Sequence, residues 1–170
     1  TEGIIKSTDR QTTIKTRVIG NNQQLLRIDE EQVAVLSPSQ EDALISRLNE
    51  VIQLQIDAVI IEDYNKGLLT PRVIDAVISL AREKDILVAA DPKKDNFLEY
   101  KNVTLFKPNL KELKEGLNID FDFPEERDQF ESAVRKMEEI IQNEISFVTL
   151  SEHGAFVKKG DKQDYLSAHI

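Results

Sequence analysis

Four short apolar runs that do not alternate constrain this chain most: residues 58–61, 86–90, 103–106 and 145–150. A strand with one face in water alternates apolar with polar residues, so a continuous run reads as a strand buried on both sides. Between the runs the period becomes helical. Thr70-Pro71 opens a segment with Val73, Ile74, Val77, Ile78 and Ala81 on one stripe. Asn109 opens a short helix ending near Gly116, and residues 124–143 make a longer one. Strand and helix in alternation predict an α/β fold whose parallel sheet is covered by helices on both faces.

The first residues follow another pattern. Residues 12–19 are rich in β-branched side chains, residues 25–28 form a second apolar run, and Gly20-Asn21-Asn22-Gln23 lies between them, which predicts a hairpin. Lys15, Arg17, Gln24 and Arg27 make at least one of its faces polar. Ser37-Pro38-Ser39-Gln40 then supplies a cap, a proline at the first helical position and a capping-box glutamine. The helix it starts runs to about residue 55, with Leu44, Ile45, Leu48, Val51 and Ile52 inward. The chain accordingly divides into a β portion, residues 1–36, and an α/β core, residues 37–170.

Composition closes several routes. With 22 Lys and Arg against 31 Asp and Glu the net charge is −9, so no basic stripe exists for a nucleic-acid backbone. Apolar runs such as 58–61 are far short of the ~20 residues that cross a bilayer. Without cysteine there is no disulfide, thiolate metal site or cysteine nucleophile, which fits a reducing cytoplasm. His153 and His169 have no partner at metal-ligand spacing. No two of the six glycines are closer than six residues, which excludes a Walker A loop and a dinucleotide fingerprint within the chain.

In an open α/β sheet the ligand sits beyond the carboxyl ends of the strands, where loops converge. Four such exits are polar: Glu62-Asp63-Tyr64-Asn65-Lys66-Gly67, Asp91-Pro92-Lys93-Lys94, Lys107-Pro108-Asn109-Leu110-Lys111-Glu112 and Ser151-Glu152-His153-Gly154. Lysines there suit a phosphorylated ligand, and the carboxylates suit hydroxyls or a magnesium ion reached through water. The same residues also fit plainer roles. Asn109 and Glu112 have the spacing of a helix cap, and Asp91-Pro92 that of a strand-ending turn.

Five segments carry a resemblance: residues 12–29 (TTIKTRVIGNNQQLLRID), 62–69 (EDYNKGLL), 91–97 (DPKKDNF), 106–113 (FKPNLKEL) and 148–157 (VTLSEHGAFV). Together they resemble the ribokinase-like, PfkB-type carbohydrate kinases, and within them the heptose-phosphate kinase modules of bacterial ADP-heptose synthases. The first segment is the specific one, since Asn-x-x-Glu and Asp-Pro-Lys occur in many sugar kinases. The resemblance implies a Rossmann-like parallel sheet between helices, with a small β lid that closes over the sugar and often joins two subunits.

It further implies ATP and Mg2+, a sugar phosphate as acceptor, a cytoplasmic enzyme and a homodimer through the lid. Asn109 and Glu112 match the motif that organises magnesium, through water, and the nucleotide phosphates. Thr149, Ser151 and Gly154 match a strand-end turn beside the nucleotide, with Ser151 where many relatives carry glycine. Asp63, Lys66, Asp91 and Lys93 match positions facing substrate or phosphates, and Arg17, Gln24 and Arg27 lie on or beside the lid. The family's general base, an Asp in a Gly-Ala-Gly-Asp motif, is expected beyond Ile170, so the chain reads as a piece of a kinase and inactive alone. A kinase for another sugar, or a noncatalytic binding or dimerisation module, would share the same fold.

Overall fold

The computed structural model describes residues 3–168 and divides their strands between two sheets. The first is the hairpin. β1 (Ile14–Gly20) and β2 (Gln23–Glu30) pair antiparallel across a turn at Asn21 and Asn22, whose φ values of 51° and 59° suit the right-handed twist of the strands. Ile14, Thr16, Val18, Leu26 and Ile28 share one face, while Lys15, Arg17, Arg27 and Asp29 share the other. A bulge shifts the register after Val18, so that Gln24 stands opposite Ile19. That single extra residue keeps Gln24 on the charged face with Arg17 and Arg27.

The second sheet has the order β3-β4-β5-β6-β7-β8, from β3 (Ala58–Glu62), β4 (Leu87–Asp91), β5 (Leu105–Phe106), β6 (Ile145–Thr149), β7 (Ala155–Lys159) and β8 (Lys162–Leu166). β3 to β6 are parallel and the last two strands antiparallel. The third apolar run yields only two paired residues, although Val103 before them is buried.

Caps set the helices. α1 (Pro38–Val51) starts on the Ser37–Gln40 capping box and stops short of residue 55, because Ile52 is buried whereas Leu54 is 53% exposed and offers no burial to hold another turn. α2 (Pro71–Arg82) is capped by Thr70 and buries the five expected residues. α3 (Leu110–Leu117) runs through Gly116, which acts as a contact point and not as a stop: a Cβ there would lie 2.2 Å from the Phe97 ring. Asn118, at φ 51°, ends it. α4 (Arg127–Ile141) starts three residues later than the expected Pro124, because residues 123–126 form a turn and Glu126 makes no side-chain cap, and it ends on Gln142 in the left-handed region.

Helical cover is complete on one face. Ile61, Val88, Ala90, Phe106 and Val148 face the helices and are buried, whereas Ile60 is 74% and Leu87 57% exposed on the opposite face. The expectation of cover on both faces is therefore met on one among the described residues. The reason is topological: each parallel strand lies beside its predecessor, and crossovers of one hand taken in one direction put α2, α3 and α4 on the same side. Phe97 with Phe106 and Phe130 with Phe156 make edge-on aromatic pairs at 5.2 and 5.1 Å in the core.

Candidate functional site

The four polar exits lie along one edge of the sheet, on neighbouring strands. Asp63 follows β3, Asp91 ends β4, Asn109 follows β5 and Ser151 follows β6. Backbone bonds hold this edge together: Asp63 N–H donates to the Asp91 carbonyl at 3.1 Å, and Thr149 N–H to the Pro108 carbonyl at 3.1 Å. Asn109 and Thr149 form an isolated parallel bridge.

Asn109 and Glu112 cap α3 reciprocally. Glu112 N–H donates to Asn109 Oδ1 at 2.8 Å, and Asn109 N–H donates to Glu112 Oε2 at 2.9 Å. Capping needs nothing more, yet the second oxygen of Glu112 accepts from Lys93, and Glu112 is only 7% exposed. Burial alone would pull the Lys93 ammonium down. The hydrogen bond to Glu112 and the charges of Glu112, Asp91 and Asp63 hold it above the usual lysine range instead. Beside this pair Lys107 bridges Asp91 at 2.7 Å. The edge thus carries acids and lysines that neutralise one another.

The turn after β6 explains its own residues. Ser151 has φ 52°, a conformation that glycine adopts without cost and other residues adopt rarely. Gly154, at φ 90°, leaves no room for a side chain, since a Cβ would sit 1.8 Å from the Leu166 carbonyl oxygen. A crevice of about 670 Å³ opens beside this turn, with Lys94, Lys111, Lys114 and Ser151 around an apolar patch of Leu110 and Ile119. The run of lysines was visible in the sequence, but not that α3 and the 94–96 turn place them around one opening.

Asp63 and Lys66 face the hairpin side. A cavity of about 330 Å³ lies between them and the charged face of the hairpin, with Thr13, Lys15 and Glu31 opposite Glu62, Tyr64 and Lys66. Lys66 pairs with Glu31 at 2.6 Å. Lys15 is the hairpin cation that reaches this cavity. Arg17 and Arg27, opposite each other, lie one step nearer the turn, and Gln24 lies farther still. Arg17, Gln24 and Arg27 are therefore on the charged face of the hairpin but not gathered with the exit residues. Asp29 binds Lys15 at 3.3 Å and Arg27 at 3.0 Å. Although burial acts to raise it, those two cations hold its carboxyl below the ordinary range.

Sequence reasoning did not single out Asn96 and Tyr100, which bond to Asp63, or Arg10, whose guanidinium donates to the Ala34 and Lys66 carbonyls at 2.6 Å each. A tyrosine in an apolar setting was the one available signal. His153 packs edge-on against Phe123 at 5.4 Å, and His169 lies outside the described residues. Among the described residues no three His, Cys, Asp or Glu side chains cluster to hold a metal directly, and no helix is long and apolar enough to cross a membrane.

No protein-family model matches the chain. Curated relatives do. The chain is 37% identical over 153 residues to the bifunctional protein HldE of Wolinella succinogenes, an alignment covering 90% of this chain and 31% of that protein. It thus spans about a third of the relative's length. Among solved structures, phosphofructokinase-2 from Escherichia coli in complex with fructose-6-phosphate superposes with a TM-score of 0.65 at 18% identity, covering 91% of this chain and 50% of that one. Ribokinase from Giardia lamblia does so with a TM-score of 0.65 at 13% identity, covering 96% and 50%.

Proposed function

We propose that this chain, which has the ribokinase-like sugar-kinase fold and resembles part of HldE, belongs to a kinase that transfers the γ-phosphoryl group of ATP to the anomeric hydroxyl of D-glycero-β-D-manno-heptose 7-phosphate. One observation carries the reading: a capped, nearly buried Glu112 keeps one oxygen on Lys93 at the sheet edge where four polar loops converge. Plain capping leaves that pairing unexplained.

Each group then has a task. Asn109, Thr149, Ser151 and Gly154 line the phosphate side, with Lys93 and Lys107 free to turn from their carboxylates toward transferred charge. Lys94, Lys111 and Lys114 of the neighbouring crevice, two of them paired with Glu115 and Asp120, would face the nucleotide. Asp91 and Lys66 belong to the acceptor side, and the hairpin, with Arg17, Gln24 and Arg27 on its charged face, covers the sugar phosphate. Magnesium suits this donor set, because the ion keeps most of its waters and needs only one or two carboxylates besides phosphate oxygens. Glu112, with Asn109 beside it, would hold it through water. When bound, the ion neutralises charge on the β- and γ-phosphates. Lysines and backbone amides orient the reactants and exclude water.

The base that deprotonates the attacking hydroxyl is assigned to a Gly-Ala-Gly-Asp segment of the parent protein outside these 170 residues. The reading includes a cytoplasmic enzyme and a homodimer joined through the apolar hairpin face, where Ile14, Val18, Leu26 and Ile28 are exposed. Two-stranded ribbons are marginal alone, and a second copy would cover that face.

The test is phosphorylation by the full-length parent with ATP and Mg2+, followed by 31P NMR. Heptose 7-phosphate should gain an anomeric phosphate with one ADP released per transfer. Preference for fructose 6-phosphate or ribose would overturn the substrate. Binding of sugar phosphate without transfer to any acceptor would make the protein a noncatalytic module.

A further inference from the structure

Asp63 stands at a strand exit but is closed to ligands, being 4% exposed with both oxygens occupied from within. Oδ1 accepts the Asn65 backbone N–H at 2.8 Å. Oδ2 accepts the Tyr100 hydroxyl at 2.7 Å and the Asn96 side-chain amide at 3.0 Å. The same amide also donates to the Leu69 carbonyl at 2.8 Å, so Asn96 grips the loop after β3 at both ends. Tyr100 is fully buried, and burial together with Asp63 pushes its phenol upward, which keeps it a donor.

These partners come from another loop. Asn96 closes the 94–96 turn just after Lys93, and Tyr100 follows within four residues. Asp63 begins the segment that carries Lys66 and Gly67. That segment in turn meets the strand leaving the hairpin, through Lys66 with Glu31 and through Leu36 N–H donating to the Gly67 carbonyl at 3.0 Å.

We infer that Asp63, Asn96 and Tyr100 form a tie holding the hairpin-side loop of Lys66 and the phosphate-side loop of Lys93 at a fixed separation, and that Asp63 is a positioning residue and not a ligand. Its catalytic consequence rests on the kinase reading above. The tie itself does not. In a transfer reaction the value of such a tie is geometric, since an error near 1 Å in the approach of the reactants costs roughly 100-fold in rate.

Tyr100→Phe is the informative variant because it removes one hydroxyl and leaves the ring in the aromatic core; Asp63→Asn and the double variant complete a cycle. Hydrogen exchange on the ligand-free parent protein should show amides of both 63–69 and 94–98 exchanging roughly 10-fold faster in Tyr100→Phe, the size expected for one hydrogen bond to a buried charge. The double variant should add little to the larger single effect. Turnover should fall by about 10-fold in Tyr100→Phe, with the KM of either substrate changing less than about twofold, as expected when geometry and not binding is lost.

Exchange that quickens only in 94–98 would overturn the tie. So would a Tyr100→Phe enzyme with wild-type turnover beside an Asp63→Asn enzyme whose sugar-phosphate KM alone rises, because that pattern makes Asp63 a ligand. If the wild-type parent transfers no phosphoryl group, the kinase reading fails while the exchange arm still decides the tie.

Discussion

In the hairpin, Ile14, Val18, Leu26 and Ile28 share a face and remain 42–53% exposed, whereas in the six-stranded sheet Val88, Phe106 and Val148 are at most 1% exposed. Both sets are strand residues of the same kinds. What separates them is cover: helices close one face of the sheet, and nothing within the described residues closes the hairpin's apolar face. The sheet therefore carries the stability of the molecule, while the hairpin offers surface. Its order rests on a turn built for strand twist, on cross-strand pairs such as Lys15 with Asp29, and on the joint at Gly67, where a Cβ would meet the Ala34 carbonyl oxygen at 2.2 Å.

The comparison can be broken most directly in the core. Phe130 is fully buried against Phe123 and Phe156, so Phe130→Ala should lose about 3–5 kcal/mol in urea unfolding. A loss under ~1 kcal/mol would show that stability is not concentrated there. Glu112→Gln sits between the two regions. Glutamine also closes a capping box but gives up the charge that faces Lys93, so stability should fall by about 1 kcal/mol. Turnover of the parent should also drop about tenfold, near 1.4 kcal/mol of barrier, with a raised magnesium requirement. Wild-type turnover at limiting magnesium would return Glu112 to capping alone.

Leu26→Lys should leave unfolding within ~0.5 kcal/mol, as surface changes usually do, yet weaken self-association of the parent in sedimentation. An unchanged dimer, or a parent that is monomeric throughout, removes the hairpin face from the interface. The smallest effect concerns pH. Glu41 accepts from the Thr70 hydroxyl and from Arg72, which together hold its carboxyl below the usual range against the opposing pull of burial. A carboxyl lowered on folding stabilises above its unfolded pKa, and that contribution fades as pH falls through the folded value. Acid titration should therefore loosen the α1–α2 contact below about pH 4.5, and Glu41→Gln should flatten that dependence without moving the core transition.

The α/β class, the starts of α1, α2 and α3 and the placing of four polar exits on one edge were legible because caps and apolar runs are local signals. The antiparallel pair β7 and β8 was not, since Lys158, Lys159, Lys162 and Asp164 give these strands no continuous apolar run. The helix end near Gly116 was legible, but not that glycine's close contact, which only the position of Phe97 in space explains. Within the site, Asn109 and Glu112 were readable as a motif, but the Lys93 and Lys107 partnerships join residues 16 to 19 positions apart and follow from strand adjacency. The partnerships of Tyr100 and Asn96 with Asp63 were hidden for the same reason.

The sequential strand order has a consequence for synthesis. From β4 onward every strand pairs with the one made immediately before it, so a chain emerging from the ribosome never holds a strand of this sheet waiting for a partner several strands ahead. Each parallel pairing closes a single crossover, so the sheet can assemble one strand at a time. The growing sheet has one edge that changes, always its newest strand, and one that does not, since β3 keeps its outer edge unpaired among the described residues from first appearance to last.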